Sequence, residues 1–63
     1  MKKYYKVTFE YDENLYCTNI ARADNIDAIK AYYNEYAWLD IKESPEWEVE
    51  SFRRKGCPFI NVD

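Results

Sequence analysis

The sequence predicts a small α+β domain: an antiparallel sheet formed by an N-terminal β-hairpin and a C-terminal strand, packed against one main helix, with a short second helix. Three observations point there. Residues 3 to 11 alternate polar and apolar; residues 25 to 38 repeat their apolar side chains every three or four positions; and residues 44 to 56 are bracketed by helix start and stop residues. With 63 residues, one Gly, two Pro and no linker, repeat or low-complexity tract, residues 1–63 form a single domain.

In the first strand, Tyr5, Val7, Phe9 and Tyr11 fall on one side and Tyr4, Lys6, Thr8 and Glu10 on the other, the pattern of a half-buried strand. Asp12-Glu13-Asn14 supplies a polar turn in which Asn14 tolerates a left-handed backbone, and Leu15 to Arg22 returns as the second strand. Asn19 shares a side with Cys17 and Ala21, so a bulge or an edge position is expected there.

Asp24 is placed to cap the helix that follows, and Asp27 puts a second carboxylate in its first turn, against the positive end of the helix dipole. Ile26, Ile29, Tyr33 and Tyr36 form the stripe expected to cross the hairpin, while Ala28, Ala31 and Ala37 favour helix without needing a pocket. Trp38-Leu39-Asp40-Ile41-Lys42 alternates weakly and offers a third strand.

Residues 46 to 52 carry two signals. Trp47, Val49 and Ser51 alternate with Glu46, Glu48 and Glu50 as in a strand, yet Ser44-Pro45-Glu46 reads as a cap, a first-turn Pro and a first-turn acid. Arg53, Arg54 and Lys55 suit the negative end of a helix and Gly56 its left-handed stop, which favours helix. Pro58 to Val62 then reads as a final strand, with Pro58 confined to its first residue.

Missing residue types exclude much chemistry. Without His, no Ser-His-Asp or Cys-His relay and no His-containing zinc site can be built from the chain. Cys17 and Cys57 stand alone, forty positions apart, and read as two reduced, half-buried thiols. The start shows no secretory pattern and no run reaches the ~20 apolar residues of a membrane span, so a cytoplasmic protein without membrane contact is expected. Glu10, Asp12 and Glu13 could offer oxygen ligands to Mg²⁺, but acids in turns ordinarily serve the turn, and so small a chain rarely encloses a substrate pocket. The expectation is no catalytic residue, no metal, no cofactor and no enzymatic activity.

The net charge of −3 conceals an arrangement: Lys2, Lys3 and Lys6 open the chain, eleven acids face only Arg22, Lys30 and Lys42 between residues 10 and 50, and Arg53, Arg54 and Lys55 follow. An acidic body disfavours broad binding to duplex DNA and suits a partner with a basic surface. Seven Tyr are too many to bury, and Tyr4, Tyr16 and Tyr32 lie off the expected core side. Tyr4 and Tyr16 are expected as a cross-strand pair on the open hairpin face, a candidate contact for a partner or a homodimer.

A compact, acidic, Tyr-rich and Gly-poor chain such as this, running Lys2-Lys3-Tyr4-Tyr5-Lys6 through Asp12-Glu13-Asn14 without His, resembles the small accessory proteins of phages and mobile elements, anti-CRISPR inhibitors among them. Members of that group share no common fold or site, so no functional residue carries over. The resemblance implies a mode of action, in which carboxylates occupy a basic nucleic-acid groove on a host protein, with the Arg53 to Lys55 cluster facing away.

The leading expectation is therefore a non-enzymatic protein-binding module that uses Asp12, Glu13, Glu46, Glu48 and Glu50 with Tyr4, Tyr16 and Tyr32 as anchors. One alternative is a single-stranded nucleic-acid binder built on Arg53, Arg54 and Lys55 beside Phe52 and Phe59. Another is a self-associating subunit whose hairpin edge completes a larger sheet.

Overall fold

The computed structural model describes residues 2–36 and 38–62. Six elements follow in order: β1 (Lys3–Asp12), β2 (Leu15–Ala23), α1 (Ile26–Tyr32), β3 (Leu39–Glu43), α2 (Glu46–Arg54) and β4 (Phe59–Asn61). The α+β class holds, while the sheet is mixed and not purely antiparallel: its order is β3-β1-β2-β4, with β4 parallel to β2.

Chain geometry explains the mixture. β2 and β3 both run antiparallel to β1, so the connection β2-α1-β3 joins parallel strands, and so does β3-α2-β4. The two crossovers travel across the sheet in opposite directions. Parallel crossovers share one hand, and opposite travel with a shared hand puts the helices on opposite faces. That is the observed arrangement, and it corrects the expectation of one main helix on one face.

On the α1 face, Tyr5, Val7 and Phe9 of β1 meet Ala21, Ala23, Ile29, Tyr33 and Val62 in the main buried cluster. On the α2 face, Tyr4, Lys6, Ile20 and Phe59 lie under the helix. Ile20 is wholly buried, Val49 is buried, and Tyr4 meets Phe59 edge-on at 6.2 Å between ring centres. α2 has nine residues against seven for α1, so the helix expected to be minor is the longer one.

Local chemistry departs from expectation at three points. Asn25, not Asp24, caps α1: its side chain accepts from the Ala28 N–H at 2.9 Å, a geometry that the same side chain one residue earlier cannot reach. The stripe expected to run to Tyr36 stops being helix at Tyr32; Ile29 and Tyr33 are buried and Tyr36 half-buried, whereas Ile26 remains 40% exposed. Asn19 sits in regular register opposite Val7, and the ladder irregularity falls between Glu10 and Asp12 instead. Asn14 (φ 59°) and Gly56 (φ 75°) take the left-handed positions expected of them.

Candidate protein-binding site

α2 covers only the Tyr4 half of its face of the sheet, and the hairpin end beyond it is open. Lys6 and Thr8 lie near the border of that cover. Thr8 and Thr18 pair across the strands through their hydroxyls at 3.1 Å. Further out, Tyr16 stands opposite Glu10, and its ring meets Trp38 edge-on at 5.4 Å. Trp38 reaches this point because its carbonyl accepts from the Glu10 N–H at 3.1 Å, continuing the line of β3. Tyr16 and Trp38 stay 53% and 47% exposed, joined at the turn by exposed Tyr11 and Leu15.

Beside these rings the hairpin end forms a shallow open notch of about 490 Å³, lined by Glu10, Tyr11, Asp12, Glu13, Glu35 and Tyr36. The β1 bulge and the turn gather three of its acids, and the segment after α1 brings the fourth. The turn holds two of them in place: Asp12 Oδ1 accepts from the Glu13 N–H at 2.8 Å, and Glu10 Oε2 from the Asn14 N–H at 3.1 Å. Each still has free lone pairs toward solvent. Among the described residues no group of three or more acids or cysteines is gathered closely enough to hold a metal ion.

Behind the notch, Tyr36 belongs to an aromatic cluster with Phe9 at 4.5 Å and Tyr33 at 5.7 Å between ring centres. Tyr33 is buried, and its hydroxyl points toward Asn19 without closing a hydrogen bond of normal geometry. Burial pushes the Tyr33 phenol above its ordinary value, opposed by the nearby Asn19 amide and aided by the neighbouring Tyr32 and Tyr36.

The structure separates the residues that sequence reasoning grouped together. Asp12 and Glu13 lie together in the notch. The α2 acids do not form one patch, because a helix turns Glu48 away from Glu46 and Glu50. Glu48 is directed inward, at 3.4 Å from Lys6 Nζ and 2.7 Å from Ser44 Oγ, so its charge is spent inside the molecule. Glu50 pairs with Arg53, and Glu46 and Glu50 line a groove with Tyr4, Ser44 and Val49. Tyr4 and Tyr16 are not partners: Tyr4 stands opposite Arg22, twelve positions from Tyr16 and half-buried under α2. Tyr32 is 53% exposed and packs edge-on against Tyr33.

The basic cluster is engaged internally. Arg53 lies 5.4 Å over the Phe59 ring besides its bond to Glu50, and Lys55 lies 5.5 Å over Phe52. Both rings that a stacked base would need carry a cation of the chain itself. Cys17 is exposed, not half-buried, and Cys57 is half-buried; both are free thiols. Among the described residues no helix is long and apolar enough to cross a membrane.

Sequence reasoning missed Glu35, Tyr36, Leu15 and Trp38 as members of the site. Trp38 opens the alternating stretch 38 to 42 expected as a third strand, and that alternation was the available clue: it places Trp38 on the same side as Asp40, next to the open hairpin face. Comparison with family models, with curated proteins and with solved structures finds no match to this chain.

Proposed function

We propose that this chain is a non-enzymatic protein-binding module whose contact site is the hairpin end, and that its partner presents basic side chains. The observation that carries the reading is the notch, which four carboxylates line together with Tyr11 and Tyr36. A lysine or arginine entering there gains opposite charge and an aromatic flank together, while its alkyl stem can rest on exposed apolar area. Leu15, Tyr16 and Trp38 add exposed apolar area at the same end of the hairpin, Tyr16 and Trp38 flanking Glu10 on the face of the sheet opposite Tyr36. Inhibition of a host nucleic-acid-binding protein, as the resemblance to mobile-element accessory proteins implies, is one use of such a site: the notch would take the basic residues that otherwise hold phosphate. The chain acts in this reading by occupying a surface and breaks no bond.

The test is a titration of the isotopically labelled protein with an arginine-rich peptide, followed by amide chemical shifts at low and high salt. Shifts concentrated at residues 10 to 13, 16 and 35 to 38, and weakened by salt, support the reading. Shifts spread evenly over all the acidic side chains, or centred on α2, overturn it.

A further inference from the structure

We infer that β3 is a self-complementary edge through which two copies of this chain pair into one continuous sheet. β3 is an outer strand of the sheet, and its ladder to β1 fixes which of its backbone groups are free. The Ser44 N–H donates to the Tyr4 carbonyl at 2.8 Å and the Glu10 N–H to the Trp38 carbonyl at 3.1 Å, so the even-numbered positions of this segment turn their backbone toward β1. In an antiparallel ladder the alternate residues turn theirs away. Leu39, Ile41 and Glu43 therefore present N–H and C=O groups outward along the open edge.

Only odd-numbered residues can exchange hydrogen bonds with a second copy, which leaves few two-fold registers. With Ile41 opposite Ile41 of the second copy, all of β3 is paired, and Asp40 faces Lys42 on one side while Lys42 faces Asp40 on the other. Centring on residue 40 or on residue 42 instead sets like charges face to face. Centring on Glu43 opposes two glutamates, and centring on Leu39 leaves Lys42 and Glu43 without partners. The Ile41 register is thus the one that the charges select.

Ladder geometry strengthens the choice. In that register Asp40 and Lys42 form the non-hydrogen-bonded pairs, whose Cα atoms approach to about 4.5 Å and whose side chains are closest. Asp40 and Lys42 lie on one face of the strand and already sit 3.9 Å apart within one chain, so pairing two copies closes a ring of four charges of alternating sign. Charges on an edge strand usually bar association with other sheets. Here they oppose the registers centred on residues 40, 42 and 43 with the same edge, and the Leu39 register is left with too short a paired stretch. The outer edge of β2 before β4 joins it, from Leu15 to Asn19, has no charged residue to make such a selection.

Sedimentation equilibrium of the intact protein from about 10 μM to about 1 mM tests the inference, since a short strand pair is a weak interface. The mean mass should rise from 7.7 kDa toward double across that range. D40K and K42D, at side chains 42% and 69% exposed, should weaken association at least tenfold, and the double swap D40K/K42D should restore it. D40K also moves the net charge of −3 toward zero, which would promote non-specific association, so a loss cannot come from general repulsion. A wild-type protein that stays monomeric throughout, or single variants that associate as the wild type does, overturns the inference; far-ultraviolet circular dichroism confirms that the variants are folded.

Discussion

Lys6 Nζ lies 3.4 Å from Glu48 Oε2, and the other oxygen of that carboxylate accepts the Ser44 hydroxyl at 2.7 Å. One side chain of α2 is thereby tied to the central strand and to the end of β3. Side-chain exposures of 33% for Lys6 and 16% for Glu48 place the pair partly out of water, where a lone charge is costly.

Removing one partner should therefore cost more than removing both. We expect Glu48→Leu to lower stability by about 1–3 kcal/mol and Lys6→Met with Glu48→Leu to lower it by less than the sum of those two changes made singly. Urea denaturation of the four proteins in a double-mutant cycle measures this coupling.

Helices on opposite faces should respond separately to their own contacts. Ile20 of β2 beneath α2 and Ile29 on the inner side of α1 are both fully buried, and each truncation to Ala should cost about 2–4 kcal/mol. In native-state hydrogen exchange, Ile20→Ala should accelerate amides of residues 46 to 54 more than those of 26 to 32, and Ile29→Ala the reverse. Equal acceleration in both helices would mean that they do not pack independently on the sheet.

The Tyr33 phenol titrates above its ordinary value of 10.0 in the folded chain, chiefly through burial. A folded-state value raised above the unfolded one means that the native protein holds this proton more tightly. The associated stability is present below about pH 10 and is lost as pH rises through 10 and beyond. Tyr33→Phe should be neutral or stabilising by up to about 1 kcal/mol at pH 7, because it removes a hydroxyl without a partner. Thermal melts between pH 8 and pH 11 should then fall less steeply for the variant than for the wild type.

For the notch, Glu10→Gln with Glu35→Gln should weaken binding of an arginine-rich peptide about three- to tenfold and flatten its salt dependence. Glu46→Gln should leave both unchanged, since Glu46 lies in the groove beside Tyr4. Isothermal titration at two salt concentrations distinguishes these outcomes.

Much of the fold was legible because local rules acted without competition or, at residues 46 to 54, because helix-end signals outweighed a strand-like alternation. The alternation of residues 3 to 11, the left-handed Asn14 and Gly56, and the helix over 46 to 54 all follow from side-chain period, turn residues and helix-end charges. The second packed face was not legible, because Tyr4, Lys6, Thr8 and Glu10 resemble a solvent side. Ile20 held the contrary clue: it shares a side with Tyr4, and an Ile there needs cover. The site was readable at Asp12 and Glu13, whose turn gathers them, but not at Glu35 or Trp38, which arrive from elsewhere in the chain. Glu48 misled for the opposite reason, since helical rotation aims it at Lys6.

The strand order β3-β1-β2-β4 puts the one locally connected pair at the centre of the sheet and leaves both flanks to later parts of the chain. Closing the hairpin costs only a short loop, whereas β3 and β4 must each be recruited across a helix. Such a sequence of entropic costs favours a kinetic nucleus in residues 3 to 23, with the flanks docking afterwards. A lesion in the hairpin would then slow the search for the native state, and one in β4 would chiefly hasten its loss.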